Sequence, residues 1–232
     1  MKPNFQQIRA ISSGVEMAVP VNLISDIVHV AAYNSHISTE SFIINSVLAF
    51  NIYKFDRYRD AQDTEDKDIS IFYDSILKNK NSIEFLLFSS SVCTIVLLFY
   101  YNLYAILPIY LSSFMYKNIK TLDFPLKPFY VSTLWTISTC IIPEYNYPNF
   151  IACISVFMCI FSLTNLADIS DYDEDIKYNV SSLPTKLGTK ETLDICYLSS
   201  LISTLSFTSL EYFSNSIYDC IYILSNVVPF IQ

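Results

Sequence analysis

The sequence predicts an all-α fold, a polytopic transmembrane bundle of about eight helices in two pseudo-repeated four-helix halves around a central cavity. Three observations support this prediction. Apolar residues make up 52% of the 232 residues and charged residues only 16%, whereas soluble domains carry about 25% charge. The apolar residues gather in stretches near the ~20 residues that cross a bilayer. The basic residues all fall on one side of these stretches.

Eight apolar stretches are candidate spans, and together they make residues 1–232 a single membrane domain. In chain order they cover residues 13–33, 38–55, 83–101, 103–117, 128–143, 148–167, 191–209 and 214–231. The third and sixth are the most apolar. The first has the weakest hydropathy, since it contains Glu16 and Asp26, and the fourth and fifth are short.

The basic residues test this alternation, because Lys and Arg accumulate in cytoplasmic loops. The loops between spans that would face the other side contain no Lys or Arg, and they lie near residues 34–38, 101–104, 144–148 and 210–215. All fourteen basic residues therefore belong to the opposite side. We expect an integral, multi-pass membrane protein with both termini and the loops 56–82 and 168–190 in the cytoplasm.

A first acidic cluster follows the second span and consists of Asn51, Asp56 and Asp60. The two aspartates stand at i and i+4, so they share a helical face if the helix continues beyond the span. A lone pair of this kind is usually solvated charge at a helix end.

A second acidic cluster follows the sixth span and consists of Asn165, Asp168, Asp171 and Asp175. Its aspartates stand at i, i+3 and i+7, which predicts three carboxylates on one helical stripe. Such carboxylates repel one another, and oxygen donors without His or Cys suit Mg²⁺ or Ca²⁺. Two regular clusters four spans apart indicate a metal site that could clamp a diphosphate.

Other site classes find little support in the composition. With two glycines in the chain, a glycine loop that cradles phosphate is excluded. The six cysteines show no CxxC spacing and mostly lie in apolar stretches, which favours packing over a zinc site or disulfides. Asn22, Asp26 and His29 form a polar stripe in the first span, either as hydrogen-bonded structural groups or as part of an acceptor pocket.

The second cluster opens a segment that resembles the UbiA-type membrane prenyltransferase superfamily. From Asp168 to Gly188 the sequence reads DISDYDEDIKYNVSSLPTKLG, which looks like the DxxDxxxD motif of that family, its following basic residue and its LPxxLG ending. The first cluster stands where the family has its other aspartate motif, although Asn51 lies one residue further from Asp56 than in NDxxDxxxD. Trp135 and the segment 125–129 also look similar.

The resemblance is to a divergent, short member, because the family usually has nine helices. It implies Mg²⁺ as cofactor, a prenyl diphosphate as donor, a lipophilic or aromatic acceptor such as a quinone precursor, membrane lipid as surroundings and no nucleic-acid partner. By position in the motifs, Asp56 and Asp60 would hold one metal ion, and Asp168, Asp171 and Asp175 another. The residues expected to contact substrate are Asn51, Lys120, Lys127, Asn165 and Lys177.

The lysines have a second interpretation, since they also carry the topology signal. The function has alternatives as well: a UbiA-type membrane terpene cyclase, which would ionise the same diphosphate, a divalent-cation carrier, or a degenerate family member that binds lipid or a partner protein without turnover. A carrier is expected to place its carboxylates near the middle of the bilayer. The clusters lie at span ends, which favours transfer to an acceptor.

Overall fold

The computed structural model describes residues 15–62, 76–115, 118, 124–144, 148–177 and 179–214. Within these ranges every regular element is helical and no strand occurs, which confirms the all-α prediction. The α-helices are α1 Val15–Tyr33, α2 Thr39–Gln62, α3 Lys80–Tyr100, α4 Leu107–Ser113, α5 Lys127–Thr136, α6 Phe150–Ser170, α7 Tyr172–Lys177, α8 Leu183–Leu187 and α9 Thr189–Ser214. Each predicted span up to residue 209 contains helix, and the span 214–231 lies beyond the described residues except for its first.

Three of the described helices are long and apolar enough to cross a membrane: α3, α6 and the part of α9 from Thr189 to Leu210. Helices α1 and α2 are also long, with 19 and 24 residues. They are not in this group because they carry more polar and charged side chains, especially in the second half of α2.

The apolar side chains of α3 and α9 mostly point away from the rest of the protein. On α3 the exposed large apolar residues include Phe85, Phe88, Val92, Val96 and Phe99, which follow one helical face. Only 22% of the apolar window of α3 and 17% of that of α9 is buried inside the structure. Large contiguous apolar surfaces are rare on soluble monomers, so these faces suit lipid surroundings.

The chain divides into two compact units. The first unit comprises residues 1–22 and 42–116, and it contains most of α2 with α3 and α4. Its core brings Tyr58 and Ala61 of α2 against Ile83 and Leu87 of α3, with Ile76 between them. The part of α2 that follows the predicted span, residues 56–62, is therefore helical and packed.

The second unit comprises residues 23–41 and 117–232, and α6 packs against both α5 and α9 in it. Small hydroxyl residues join α6 to α9. Ser155 donates to the Ser203 carbonyl at 3.1 Å, Ser203 donates back to the Ser155 carbonyl at 2.8 Å, and Ser162 donates to the Cys196 carbonyl at 3.0 Å. Such residues let apolar helices approach closely and hydrogen-bond across the contact.

Helix α5 continues into a wide turn, the π-helical segment Ile137–Ile141. The N–H of Ile142 donates to the Ile137 carbonyl at 2.9 Å, a spacing of five residues instead of four. The hydroxyl of Ser25 donates to the Thr139 carbonyl in this turn at 3.1 Å. The turn thus gives α1 a buried hydrogen-bond partner in the second unit.

Candidate functional site

The second cluster begins on the last two turns of α6. Phe161, Asn165 and Asp168 follow one another at i, i+4 and i+7, so they lie on one face of the helix. Asn165 and Asp168 are completely buried. The amide nitrogen of Asn165 donates to the Phe161 carbonyl at 2.8 Å, which directs its amide oxygen away from the helix backbone.

The helix breaks in the middle of the aspartate motif, so the predicted stripe of three carboxylates on one helix is wrong. Asp171 is the C-cap of α6, and α7 starts at Tyr172. Asp171 is exposed and Asp175 is buried. The break allows one carboxylate to reach solvent, which relieves the repulsion that three stacked carboxylates would feel.

A tight turn after α7 fixes Asp175. The N–H of Val180 donates to the Asp175 carbonyl at 2.8 Å, and the N–H of Asn179 donates to the Ile176 carbonyl at 3.3 Å. With Asn179 at a φ of 53°, this is the Schellman pattern of helix ends. The carboxylates of Asp175 and Asp171 are both close enough to act electrostatically on that of Asp168.

Lys127 supplies a cation to this cluster. It is the first residue of α5, and its ammonium forms an ion pair with Oδ1 of Asp168. The Lys127 side chain is 16% exposed and that of Asp168 is 0% exposed. Lys127 was predicted to contact a diphosphate, and the structure places it on the carboxylate that such a site would use for metal.

Three buried oxygen atoms of the second cluster have no hydrogen-bond partner among the described residues: Oδ1 of Asn165, Oδ2 of Asp168 and Oδ2 of Asp175. Leaving a buried polar atom unpaired costs about 1–3 kcal/mol, and more for a charged group. Oxygen atoms of carboxylate and amide groups are the ligands that a hard cation prefers. The donor set therefore fits Mg²⁺.

No group of three His, Cys, Asp or Glu side chains converges on a metal position within the described ranges. That is consistent with the exposure of Asp171, which leaves Asp168 and Asp175 as the buried pair. Mg²⁺ usually binds through one or two protein carboxylates, with waters and substrate phosphates as its remaining ligands. Two carboxylates and one amide oxygen are enough for that mode.

Two further lysines of this region were predicted to contact substrate. Lys177 is exposed at the last position of α7, and Lys120 lies outside the described residues. The roles predicted for these two lysines stay predictions.

The first cluster lies on α2, which continues to Gln62 as its spacing required. Asn51 is completely buried and both ends of its amide are occupied, because its nitrogen donates to Thr94 Oγ1 at 2.6 Å and its oxygen accepts from Ser90 Oγ. Asn51 thus joins α2 to α3. Asp56 is half-buried, and Asp60 lies on the same helix with a side chain beyond the described set.

Lys54, one of the basic residues expected on the cytoplasmic side, is completely buried. It follows Asn51 by three residues, so the two lie on one face of α2. A cation buried at the end of a span is a functional candidate. The spacing of three residues between Asn51 and Lys54 was the feature of the sequence that could have identified Lys54 as a candidate. The guanidinium of Arg59, on the same helix, donates to the backbone carbonyl of Phe114 at 2.8 Å.

Each residue of the polar stripe of α1 has at least one protein partner, although Oδ1 of Asn22 has none among the described residues. Asn22 donates to Ser46 Oγ at 2.9 Å. His29 Nε2 lies 2.9 Å from a Glu144 carboxylate oxygen, and His36 pairs with Asp26 at 3.0 Å. These contacts support the structural interpretation of the stripe over an acceptor pocket.

Comparison with known proteins adds no relative: no family model, no curated protein and no solved structure matches this chain. The two clusters belong to different compact units. The prediction that they face one another stays a prediction.

Proposed function

We propose that this chain is a multi-pass membrane prenyltransferase of the UbiA type, which transfers an isoprenyl group from a prenyl diphosphate to a lipophilic or aromatic acceptor. The observation that carries the proposal is the set of three unpaired buried oxygens of the second cluster, one of them on Asp168, the carboxylate that the Lys127 ammonium pairs with. Oxygen ligands suit a hard cation, and an ammonium suits a phosphate oxygen. A site that offers both at the end of an apolar helix fits a metal diphosphate with a lipid tail.

The roles of the chain's residues follow from their positions. Asp168 and Asp175 would hold Mg²⁺, with Asn165 as a neutral oxygen ligand. Bound Mg²⁺ would stabilise the negative charge that develops on the diphosphate as its bond to the prenyl carbon breaks. Lys127 would bind a phosphate oxygen. The first cluster would hold a second metal ion through Asp56 and Asp60, across a cavity between two helical halves and on the cytoplasmic side.

Aromatic rings near the second cluster support the same chemistry. The rings of Phe129 and Phe161 lie 4.8 Å apart, centroid to centroid, on the two helices that carry Lys127 and Asp168. Phe161 precedes Asp168 by seven residues, which is about 10 Å along a helix. Aromatic faces attract a cation by ~0.5–2 kcal/mol each, so this pair could stabilise the positive charge left on the prenyl group.

The test is an assay of the purified protein in lipid nanodiscs with Mg²⁺ and geranylgeranyl diphosphate, scored for released diphosphate. Asp168→Asn and Asp175→Asn should each lower the rate by about a hundredfold or more, as loss of a preorganised electrostatic group does. Asp173→Asn is the matched control, because Asp173 is exposed on the same short helix as Asp175. Unchanged turnover in both ligand variants would reject the site.

The same assay separates the alternative functions. Diphosphate release that needs an added lipophilic or aromatic acceptor supports transfer, and release without one supports cyclisation. Flux of Mg²⁺ or Ca²⁺ into proteoliposomes, without consumption of the diphosphate, would instead support a carrier.

A further inference from the structure

The ion pair between Lys127 and Asp168 bears on how the binding of a metal ion and of a diphosphate depend on each other. Lys127 occupies one oxygen of a carboxylate that the proposed function assigns to Mg²⁺, and the other oxygen has no partner among the described residues. An ionised carboxylate without solvent exposure needs a counter-charge, since an unpaired buried charge is strongly destabilising. Lys127 supplies that charge while no metal is bound.

Metal and ammonium compete for this carboxylate. A divalent ion on Oδ2 of Asp168 would lie within a few ångströms of the Lys127 ammonium, where like charges repel strongly because screening by water is weak. The Lys127 side chain is free to respond, because it starts α5, retains 16% exposure and has a flexible four-carbon stem. A diphosphate would offer the displaced ammonium a new anionic partner.

We infer that Lys127 is a positioning residue that stands in for the metal: it neutralises Asp168 in the metal-free protein and transfers to the diphosphate when Mg²⁺ binds. This inference rests on the proposed function. Mg²⁺ alone must displace a cation that then has no partner, whereas Mg²⁺ with a diphosphate gives every charge a partner. Binding of metal and of anion is therefore coupled through Lys127.

The test measures Mg²⁺ binding by isothermal titration calorimetry in nanodiscs, without and with inorganic pyrophosphate. Lys127→Gln removes the competing cation and should tighten the binding of Mg²⁺ alone by about tenfold. Saturating pyrophosphate should tighten Mg²⁺ binding in the unmodified chain by more than it does in this variant. Lys190→Gln is the matched control, since Lys190 is exposed at the start of α9 and should leave both affinities unchanged.

A second variant and a second readout cover a loss of folding in Lys127→Gln. Lys127→Arg should weaken the binding of Mg²⁺ alone, because a guanidinium holds a carboxylate with two hydrogen bonds. Mg²⁺ should also raise the Tm of Lys127→Gln by more than that of the unmodified chain, because the variant leaves Asp168 without a counter-charge.

Two outcomes overturn the inference, and they are distinguishable. If Lys127→Gln binds Mg²⁺ no more tightly than the unmodified chain, while Asp168→Asn abolishes binding in both, the metal site stands and the exchange does not. If Mg²⁺ binds to neither chain at millimolar concentration, the proposed function loses its metal as well.

Discussion

The two asparagines, one in each cluster, have different environments. Asn51 and Asn165 are both completely buried. The amide of Asn51 is used at both ends by Ser90 and Thr94. The amide of Asn165 is used only at its nitrogen, and its oxygen lacks a hydrogen-bond partner in the described part of the chain. Asn165 is therefore the better candidate for a ligand.

Sequence alone could not show the contacts of these two residues. The spacing places Asn165 on the same helical face as Asp168, and that was predictable. Asn51 stands five residues before Asp56, so the spacing places it on a different face of its helix. The partners of Asn51 lie 39 and 43 residues further along the chain, and the partner of Lys127 lies 41 residues away. Local periodicity carries no information about such contacts.

Tyr58 provides a pH-dependent prediction. Burial, together with a 2.5 Å hydrogen bond from its hydroxyl to Glu84, raises the pKa of Tyr58 to about 12. In the unfolded chain a tyrosine ionises near pH 10. The raised pKa therefore contributes stability that is fully present below about pH 10 and is lost as the pH rises towards 12.

Tyr58→Phe should lower the free energy of unfolding by about 1 kcal/mol at neutral pH, and the difference from the unmodified chain should shrink between about pH 10 and 12. Unfolding in detergent, followed by circular dichroism at several pH values, measures both. Tyr197→Phe is the control, since Tyr197 is 66% exposed. A pH-independent difference would contradict the assignment.

At the scale of single elements, asparagine occupies the left-handed backbone position that glycine usually occupies at helix ends. Asn34, Asn102 and Asn179 have positive φ values of 55°, 57° and 53°, and each follows the end of a helix. Asparagine adopts this left-handed conformation more easily than other residues with a side chain. A chain with two glycines can end its helices in this way.

Asn179 links such a helix end to the second cluster. Asn179→Val should lower the free energy of unfolding by about 1–2 kcal/mol, because a β-branched residue resists positive φ. It should also weaken Mg²⁺ binding, because the turn that holds Asp175 becomes looser. Asn102→Val makes the same change at the end of α3, so we expect the same loss of Tm without an effect on Mg²⁺ affinity. Equal effects of the two variants on Mg²⁺ binding would argue against a local role for Asn179.

At the scale of the whole molecule, the sequence predicted the helical class and the approximate place of the described helices that lie in candidate spans, but not the short helix α8. Apolar stretches and charged boundaries carry that information. The break at Asp171 was missed, because periodicity alone continues through it. The boundary between the two compact units is not visible in the sequence, since α1 and α2 each contribute residues to both. Such a division depends on long-range packing.

The predicted topology can be tested on intact membranes. Single cysteines replace Lys186, in the loop expected in the cytoplasm, and His36, in a loop expected on the other side, in a chain whose own cysteines are changed to serine. Both positions are exposed. An impermeant maleimide should label Lys186→Cys only in inside-out vesicles and His36→Cys only in right-side-out ones. Labelling of both from one side would contradict the alternation.

The wide turn that follows α5, Ile137–Ile141, changes the direction in which the later side chains point. It holds one residue more than an α-helical turn, and each residue advances a helix by about 100°. Side chains beyond it are therefore rotated relative to those before it. Lys127 at one end of the segment pairs with Asp168, and Glu144 just past the other end pairs with His29. The extra residue adds about 100° of rotation between the two ends of the segment. Lys127 and Glu144 can therefore face two different partners although they belong to one continuous segment.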